Sequence, residues 1–164
     1  MKDYIPTINI TSLLNKNFNS IASKKTIKKI ENACFEIGFF QITSHGINKK
    51  SINNIIGVGN LFFDSSIKNK LKLSPKKWNP LNKNIYRGYF PNNVNGKEGL
   101  DIGDPTVTKK IALKLKSPYI EYLNLGKVFN KKSIKIMDNY FDQMFILGEI
   151  LFKSIIQLYK KDVK

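Results

Sequence analysis

The segment over residues 33–47 constrains the fold more than any other part of this chain, and it reads A-C-F-E-I-G-F-F-Q-I-T-S-H-G-I. Apolar residues keep helical spacing up to Gly38, and the period-two alternation typical of a strand begins at Phe39. Glycine adopts positive φ at no steric cost, so Gly38 is predicted to end the helix. The apolar stripe of that helix consists of Ile27, Ile30, Cys34 and Ile37. The segment therefore predicts a helix, a glycine stop, a buried strand over 39–43 and a tight turn.

In residue order this segment resembles the N-terminal domain of the non-haem iron, 2-oxoglutarate-dependent dioxygenases, the isopenicillin N synthase-like family. The recurring phrase of that family is close to A-C-x-x-I-G-F-F-x-I/V-x-N-H-G-I, and Ser44 stands where the phrase has Asn. Residues 5–10 resemble the family's opening strand, with Asn9 in place of the usual Asp. Residues 86–91 and 98–103 resemble a ribbon of its bacterial members. The resemblance thus extends over most of the chain and implies a small N-terminal α/β domain.

The iron chemistry of that family needs two histidines and one carboxylate, written as His-x-Asp with a distant second His, and an Arg-x-Ser for 2-oxoglutarate. This sequence has one histidine, His45, and one arginine, Arg87. We therefore expect no catalytic residue, no metal site and no cofactor in this chain, whereas the resemblance implies Fe(II) and 2-oxoglutarate for the complete enzyme. The catalytic double-stranded β-helix barrel is expected to be absent, as in a truncated gene, a fragment or a split protein. The chain alone is expected to be inactive.

Arg87 is the residue most indicative of a binding role, because lysine outnumbers arginine 27 to 1. Arginine is required where planar, bidentate recognition of a carboxylate matters. The resemblance implies that its neighbours Tyr89 and Phe90 lie on a ribbon at the mouth of the active site, close to a small-molecule substrate. The alternative is an ion pair between Arg87 and Asp101 or Glu98 across the ribbon. Both interpretations stay open at this point.

His45 and Gly46 are predicted to form a structural turn and not a metal site. A metal ion needs several convergent ligands, and the carboxylates nearest in sequence, Glu36 and Asp64, belong to different predicted elements. Ring nitrogens at a turn usually bond backbone groups nearby.

The formal net charge of +16 is typical of proteins that bind polyanions. The lysines are scattered from Lys2 to Lys164, however, and no arginine-rich stripe accompanies them. We therefore expect a solvated basic surface with no specific nucleic acid, and a basic nucleic-acid-binding module stays the alternative. The single cysteine, Cys34, is predicted to be a small buried side chain. No apolar leader or membrane span is evident, so we expect a cytoplasmic protein and no membrane partner.

The fold class predicted is mixed α/β with few strands, two helices, an Asn-, Pro- and Gly-rich ribbon region and a long C-terminal helix. Asn48 is the predicted N-cap of the second helix. Loops are expected over 76–118, with one ribbon that pairs 86–90 with 100–102. We divide the chain into a dioxygenase N-terminal domain over 1–130 and a long helix over 131–164.

The long helix carries apolar residues in a 3-4 alternation over residues 134–158. Its apolar band is broad, which favours packing against the missing barrel domain. The alternative is a helical interaction protein that self-associates through this stripe.

Overall fold

The computed structural model describes residues 5–74, 87–91, 96–115 and 122–159. The helices are α1 (Ile21–Glu36), α2 (Lys49–Phe63), α3 (Ile67–Lys70), α4 (Lys109–Leu115) and α5 (Lys131–Tyr159), and the strands are β1 (Thr7–Asn9), β2 (Gln41–Thr43), β3 (Gly88–Phe90) and β4 (Gly99–Asp101). Packing divides the chain into unit 1, Met1–Lys49 with Asp142–Lys164, and unit 2, Lys50–Phe141. This division differs from the one drawn at residue 130. The mixed α/β class is confirmed, and the described residues contain no closed barrel.

Unit 1 contains a strand–helix–strand motif in which β1 and β2 pair in parallel, with Ile8 opposite Ile42. Parallel neighbours need a long crossover, and α1 supplies it. At the start of α1 the Ser20 hydroxyl accepts a hydrogen bond from the Ser23 amide at 3.1 Å. This N-cap satisfies one of the amides that the first helical turn leaves without a partner.

The predicted glycine stop of α1 is confirmed. Gly38 has φ of +84°, and its amide donates to the Ala33 carbonyl at 2.9 Å. Strand β2 begins later than predicted, at Gln41, and is three residues long. The prediction of a buried start at Phe39 is wrong, since this side chain is exposed. Gly38, in its left-handed conformation, changes the direction of the chain. The first backbone hydrogen bond between the two strand segments, from Gln41 N–H to the Pro6 carbonyl, forms only after two more residues.

The prediction that Cys34 is buried is also wrong, because its side chain is exposed. The buried stripe of α1 runs through Ile27, Ile30 and Ala33, and Cys34, one residue later, lies about 100° further round the helix. Ala33 occupies the core-facing position near the end of the helix instead. The core of unit 1 consists of Ile8, Ile10, Leu13, Ile27, Ile30, Ala33, Leu147 and Ile150.

The long helix is confirmed as α5. Two of its residues, Leu147 and Ile150, are buried in the core of unit 1, and Leu151, Ile155 and Leu158 pack against that core. Much of the apolar stripe over 134–158 is therefore covered within the chain. The large apolar side chains of α5 that remain exposed are Met144, Phe145, Ile146 and Phe152. None of the described helices is long and apolar enough to cross a bilayer.

Helix α2 begins directly after Asn48 and belongs to unit 2 from Lys50 onward. The predicted ribbon is present as an antiparallel pair of β3 and β4 with Tyr89 opposite Leu100. Strand β4 begins one residue earlier than predicted, at Gly99, and Tyr86, the predicted start of the ribbon, lies outside the described residues. The prediction of loops alone beside this ribbon is wrong, because α4 forms within that stretch. Its amide at Ala112 donates to the Thr108 carbonyl at 2.9 Å, and the side chain of Ala112 is buried. A seven-residue helix with one buried apolar residue leaves no periodic stripe that the sequence could reveal.

Candidate functional site

Arg87 lies immediately before β3 and its side chain rests on the backbone of Gly103. A β-carbon at position 103 would lie 2.5 Å from Nε and 3.2 Å from Cδ of Arg87. Contacts below about 3 Å between such atoms are steric clashes, so a side chain at position 103 would displace the arginine from this place. Position 103 follows β4 by two residues. The ribbon therefore positions both Arg87 and the Gly103 backbone that its side chain contacts.

Glu98, which directly precedes β4, joins the ribbon to the preceding helices. The Tyr89 hydroxyl donates to Glu98 Oε2 at 2.5 Å. Lys70 Nζ donates to Oε1 and Oε2 of the same carboxylate at 3.2 and 2.9 Å, and to the Phe63 carbonyl at 2.9 Å. Tyr89 is 1% exposed and Lys70 9% exposed. We call Lys70, Tyr89 and Glu98 the ribbon clamp.

The ribbon clamp bears on the two interpretations of Arg87. Lys70 and Tyr89, and not Arg87, hold the carboxylate of Glu98. Within the described ranges Arg87 forms no ion pair with Glu98 or Asp101.

Each member of the ribbon clamp shifts the titration of the others. The hydrogen bonds from Tyr89 and then Lys70 hold the pKa of Glu98 below its usual range. The bond to Glu98 raises the pKa of Lys70, although burial opposes this shift. The same carboxylate, followed by burial, raises the pKa of Tyr89. Near neutral pH the clamp therefore consists of a carboxylate, an ammonium group and a neutral phenol that donates its proton.

A cavity of about 290 Å³ lies in unit 2 beside Gly103. Its lining combines polar and apolar residues and includes Gly103, Asp104, Tyr122, Asn124, Met137 and Phe141. Arg87 and Phe90 are half-buried, whereas the side chain of Tyr89 lies in the apolar cluster of unit 2 with Phe62 and Leu73. The proximity of Arg87, Tyr89 and Phe90 to a substrate stays a prediction.

His45 lies in the turn between β2 and α2. Its Nδ1 accepts a hydrogen bond from the Ile47 amide at 3.2 Å. Ser44 has φ of +55° and Gly46 has φ of +82°. A left-handed conformation is costly for most L-residues and least so for Gly and Asn. The asparagine in the dioxygenase phrase therefore fits the backbone that Ser44 adopts here.

We predict that Ser44→Asn increases the free energy of unfolding by about 0.5 to 1 kcal/mol, because Asn tolerates the left-handed region better than Ser. Urea unfolding followed by circular dichroism measures the change. Ser44→Ala is the matched control and should give no gain, since alanine has no such tolerance. Equal stability of the Asn and Ala variants would contradict the backbone explanation.

The donor atoms of this chain do not fit an iron centre of the facial-triad type. The described residues contain no group of three His, Cys, Asp or Glu side chains that could hold a metal ion. The whole sequence has one histidine, where a two-histidine triad needs two.

Comparison with known families decides the relationship. The family described as non-haem dioxygenase in morphine synthesis, N-terminal, matches residues 5–133. The chain belongs to this family. The match includes the glycine stop, the His45 turn and the ribbon, which are the features that carry the resemblance in the sequence.

Several relatives of this dioxygenase-family chain are known. It is 33% identical over 89 residues to the 2-oxoglutarate-dependent dioxygenase tropC of Talaromyces stipitatus, covering 54% of this chain and 26% of that protein. It is 37% identical over 92 residues to a probable iron/ascorbate oxidoreductase of Dictyostelium discoideum, covering 54% and 23%. It is 32% identical over 103 residues to homoarginine-6-hydroxylase 2-ODD-C23.2 of Arabidopsis thaliana, covering 60% and 28%. The chain thus spans about a quarter of the length of the curated relatives it matches.

Sequence reasoning missed Lys70. The chain has 27 lysines, and the residues next to Lys70 in sequence do not distinguish it from the other 26. Glu98 could be found, because it lies in the block that resembles the family's ribbon. Lys70, the partner of Glu98, could not be found in this way, since a pairing between residues 28 apart in the sequence leaves no local pattern.

Proposed function

We propose that this chain supplies the scaffold and a substrate-facing ribbon of a 2-oxoglutarate- and Fe(II)-dependent oxidoreductase, with iron ligands that lie outside these 164 residues. The observation that carries the proposal is the family match over residues 5–133 in a chain with one histidine. Relatives named as 2-oxoglutarate-dependent dioxygenases and an iron/ascorbate oxidoreductase support the cofactor class. We propose accordingly that the chain is inactive alone.

Arg87 is the proposed contact of this half with the substrate. Its side chain is half-buried and contacts Gly103, which lines the cavity. Of the two candidate carboxylates on the ribbon, Glu98 is already held by Lys70 and Tyr89. The other, Asp101, forms no ion pair with Arg87 in the described part of the chain. A guanidinium group in such a place can bind a substrate carboxylate through two parallel hydrogen bonds. This favours the substrate interpretation over the internal ion pair.

The barrel domain is the proposed partner of the exposed band of α5. Met144, Ile146 and Phe152 leave exposed apolar surface on a helix that packs against the core of unit 1 at other positions. Surface of this kind is commonly covered in the complete protein. The alternative is that this surface pairs with a second copy of the chain, which light scattering of the isolated chain would detect.

The function is tested first on the isolated chain. Anaerobic calorimetry with Fe(II) and 2-oxoglutarate is expected to show no tight one-to-one binding, because the histidine ligands are absent. Oxygen consumption with the same components is expected to equal that of buffer. Tight stoichiometric iron binding or turnover by the chain alone would contradict the proposal.

A chimera gives the positive test. The segment of tropC that matches this chain is replaced by the corresponding residues of this chain, so that the barrel of tropC supplies the iron ligands. We expect iron- and 2-oxoglutarate-dependent succinate formation above that of the tropC barrel produced alone. A folded, iron-loaded chimera with no gain over the barrel alone would show that this domain does not serve a dioxygenase barrel.

A further inference from the structure

The ribbon clamp ties together four parts of unit 2. Tyr89 belongs to β3, Glu98 directly precedes β4, Lys70 ends α3, and the carbonyl that Lys70 also binds belongs to Phe63 at the end of α2. One carboxylate therefore receives hydrogen bonds from the other strand of the ribbon and from a helix. Burying a lysine is costly unless its charge is paired and hydrogen-bonded, which is the situation here.

Along the chain, Tyr89 lies close to Arg87, and Glu98 lies close to Gly103. Arg87 lies just before β3, two residues ahead of Tyr89, and Gly103 follows β4, whose first residue adjoins Glu98. The register is fixed by the pair Tyr89–Leu100. A shift of the ribbon relative to α3 would therefore move the guanidinium group and its glycine support at once.

We propose that Lys70 is a positioning residue that acts through Glu98 to hold the ribbon against α3, and that it thereby fixes the position at which the ribbon presents Arg87. The inference rests on the proposed function only in that Arg87 faces the substrate. In this role Lys70 and Glu98 need no contact with the substrate themselves. They determine the position of the Arg87 side chain before a substrate carboxylate binds. Pre-organisation of this kind strengthens binding because less entropy is lost in ordering the side chain.

The pKa values of the clamp residues determine the pH range over which the clamp holds the ribbon. The lowered pKa of Glu98 means that its contribution is present above the unfolded-state pKa and is lost as the pH falls through the folded-state pKa. The raised pKa values of Lys70 and Tyr89 mean that their contributions persist through neutral pH and are lost only in the alkaline range. Among the described residues these two groups are the ones that act on Glu98. The ribbon should therefore be held at neutral pH and released in acid.

The single arginine makes Arg87 a unique chemical reporter. A vicinal dicarbonyl such as phenylglyoxal modifies guanidinium groups, and mass spectrometry of the intact 164-residue chain gives the rate. Lys70→Met keeps the aliphatic stem and removes the charge, and Tyr89→Phe keeps the buried ring and removes the hydroxyl. We expect each variant to raise the modification rate of Arg87 roughly fivefold or more, because the ribbon opens locally more often. Lys72→Met, an exposed lysine in the same segment, is the matched control and should leave the rate unchanged.

A second measurement separates positioning from a general loss of stability. Amide hydrogen exchange of residues 88–90 and 99–101, corrected for intrinsic exchange, is followed from neutral to acidic pH. Wild-type protection of the ribbon should fall in acid, whereas Glu98→Gln should show weak protection with no such pH dependence. Exchange in α1, which belongs to unit 1, should be the same in both proteins.

Unchanged Arg87 reactivity in both Lys70→Met and Tyr89→Phe would overturn the inference, and so would parallel pH profiles for wild type and Glu98→Gln. If Lys70→Met loses its fold, the Tyr89→Phe variant decides the matter, because its ring packing is kept. These measurements need neither iron nor substrate. An inactive chimera together with a responsive Arg87 would therefore refute the proposed function and leave the positioning role standing.

Discussion

The Ile150→Ala variant is expected to lower the free energy of unfolding by about 3 kcal/mol. Ile150 is 5% exposed and lies in the core of unit 1 with residues of β1 and α1. Removing three carbons there loses the transfer free energy of the side chain and leaves a cavity that its neighbours fill only in part. The higher helix propensity of alanine offsets only about 0.4 kcal/mol of this loss.

Ile146→Ala is the matched control, because it makes the same substitution one turn earlier on the same helix. Ile146 is 50% exposed, so its truncation should change the free energy of unfolding by no more than about 0.5 kcal/mol. Denaturant unfolding of both variants, with exchange of the α1 amides as a probe of unit 1, provides the comparison. Equal losses from the two substitutions would show that α5 does not pack through Ile150.

This pair of variants also addresses the apolar stripe over residues 134–158, where sequence and structure differ in detail. The 3-4 alternation predicts the helix correctly, since helical periodicity is a property of the segment itself. It cannot show which part of the stripe is covered. The core of β1 and α1 lies more than a hundred residues earlier in the chain and covers Leu151 and Ile155, and no pattern within α5 encodes that contact.

The same distinction between local and distant determinants holds elsewhere. Gly38 ends α1 as predicted, because the requirement for positive φ is local to one residue. The exposure of Cys34 and Phe39 was missed, since a periodic pattern within a segment does not show which of its residues the rest of the fold covers. The ribbon was predicted from its turn-forming residues together with the resemblance to the family, whereas Lys70 became evident only in three dimensions.

Phe62→Ala is expected to have an effect at least as large in unit 2, lowering the free energy of unfolding by about 3 to 5 kcal/mol. Phe62 is 2% exposed, and its ring centroid lies 5.2 Å from Phe63, 5.7 Å from Tyr89 and 5.4 Å from Phe129. The first two contacts are edge-to-face, a geometry that stabilises aromatic pairs beyond the area they bury. Phe35→Ala is the control: Phe35 is 79% exposed, and its truncation should cost no more than about 0.5 kcal/mol.

The site of the loss distinguishes this prediction from the first one. Because Phe62 supports the ring of Tyr89, its removal should accelerate amide exchange in the ribbon and raise the reactivity of Arg87, with less effect on α1. Ile150→Ala should show the opposite pattern, since its contacts lie in unit 1. Phe62→Leu restores part of the volume and should recover part of both the stability and the ribbon protection. A Phe62→Ala protein with wild-type exchange in the ribbon would show that the aromatic cluster does not support β3, and the orientation of Arg87 would then depend on the ribbon clamp alone.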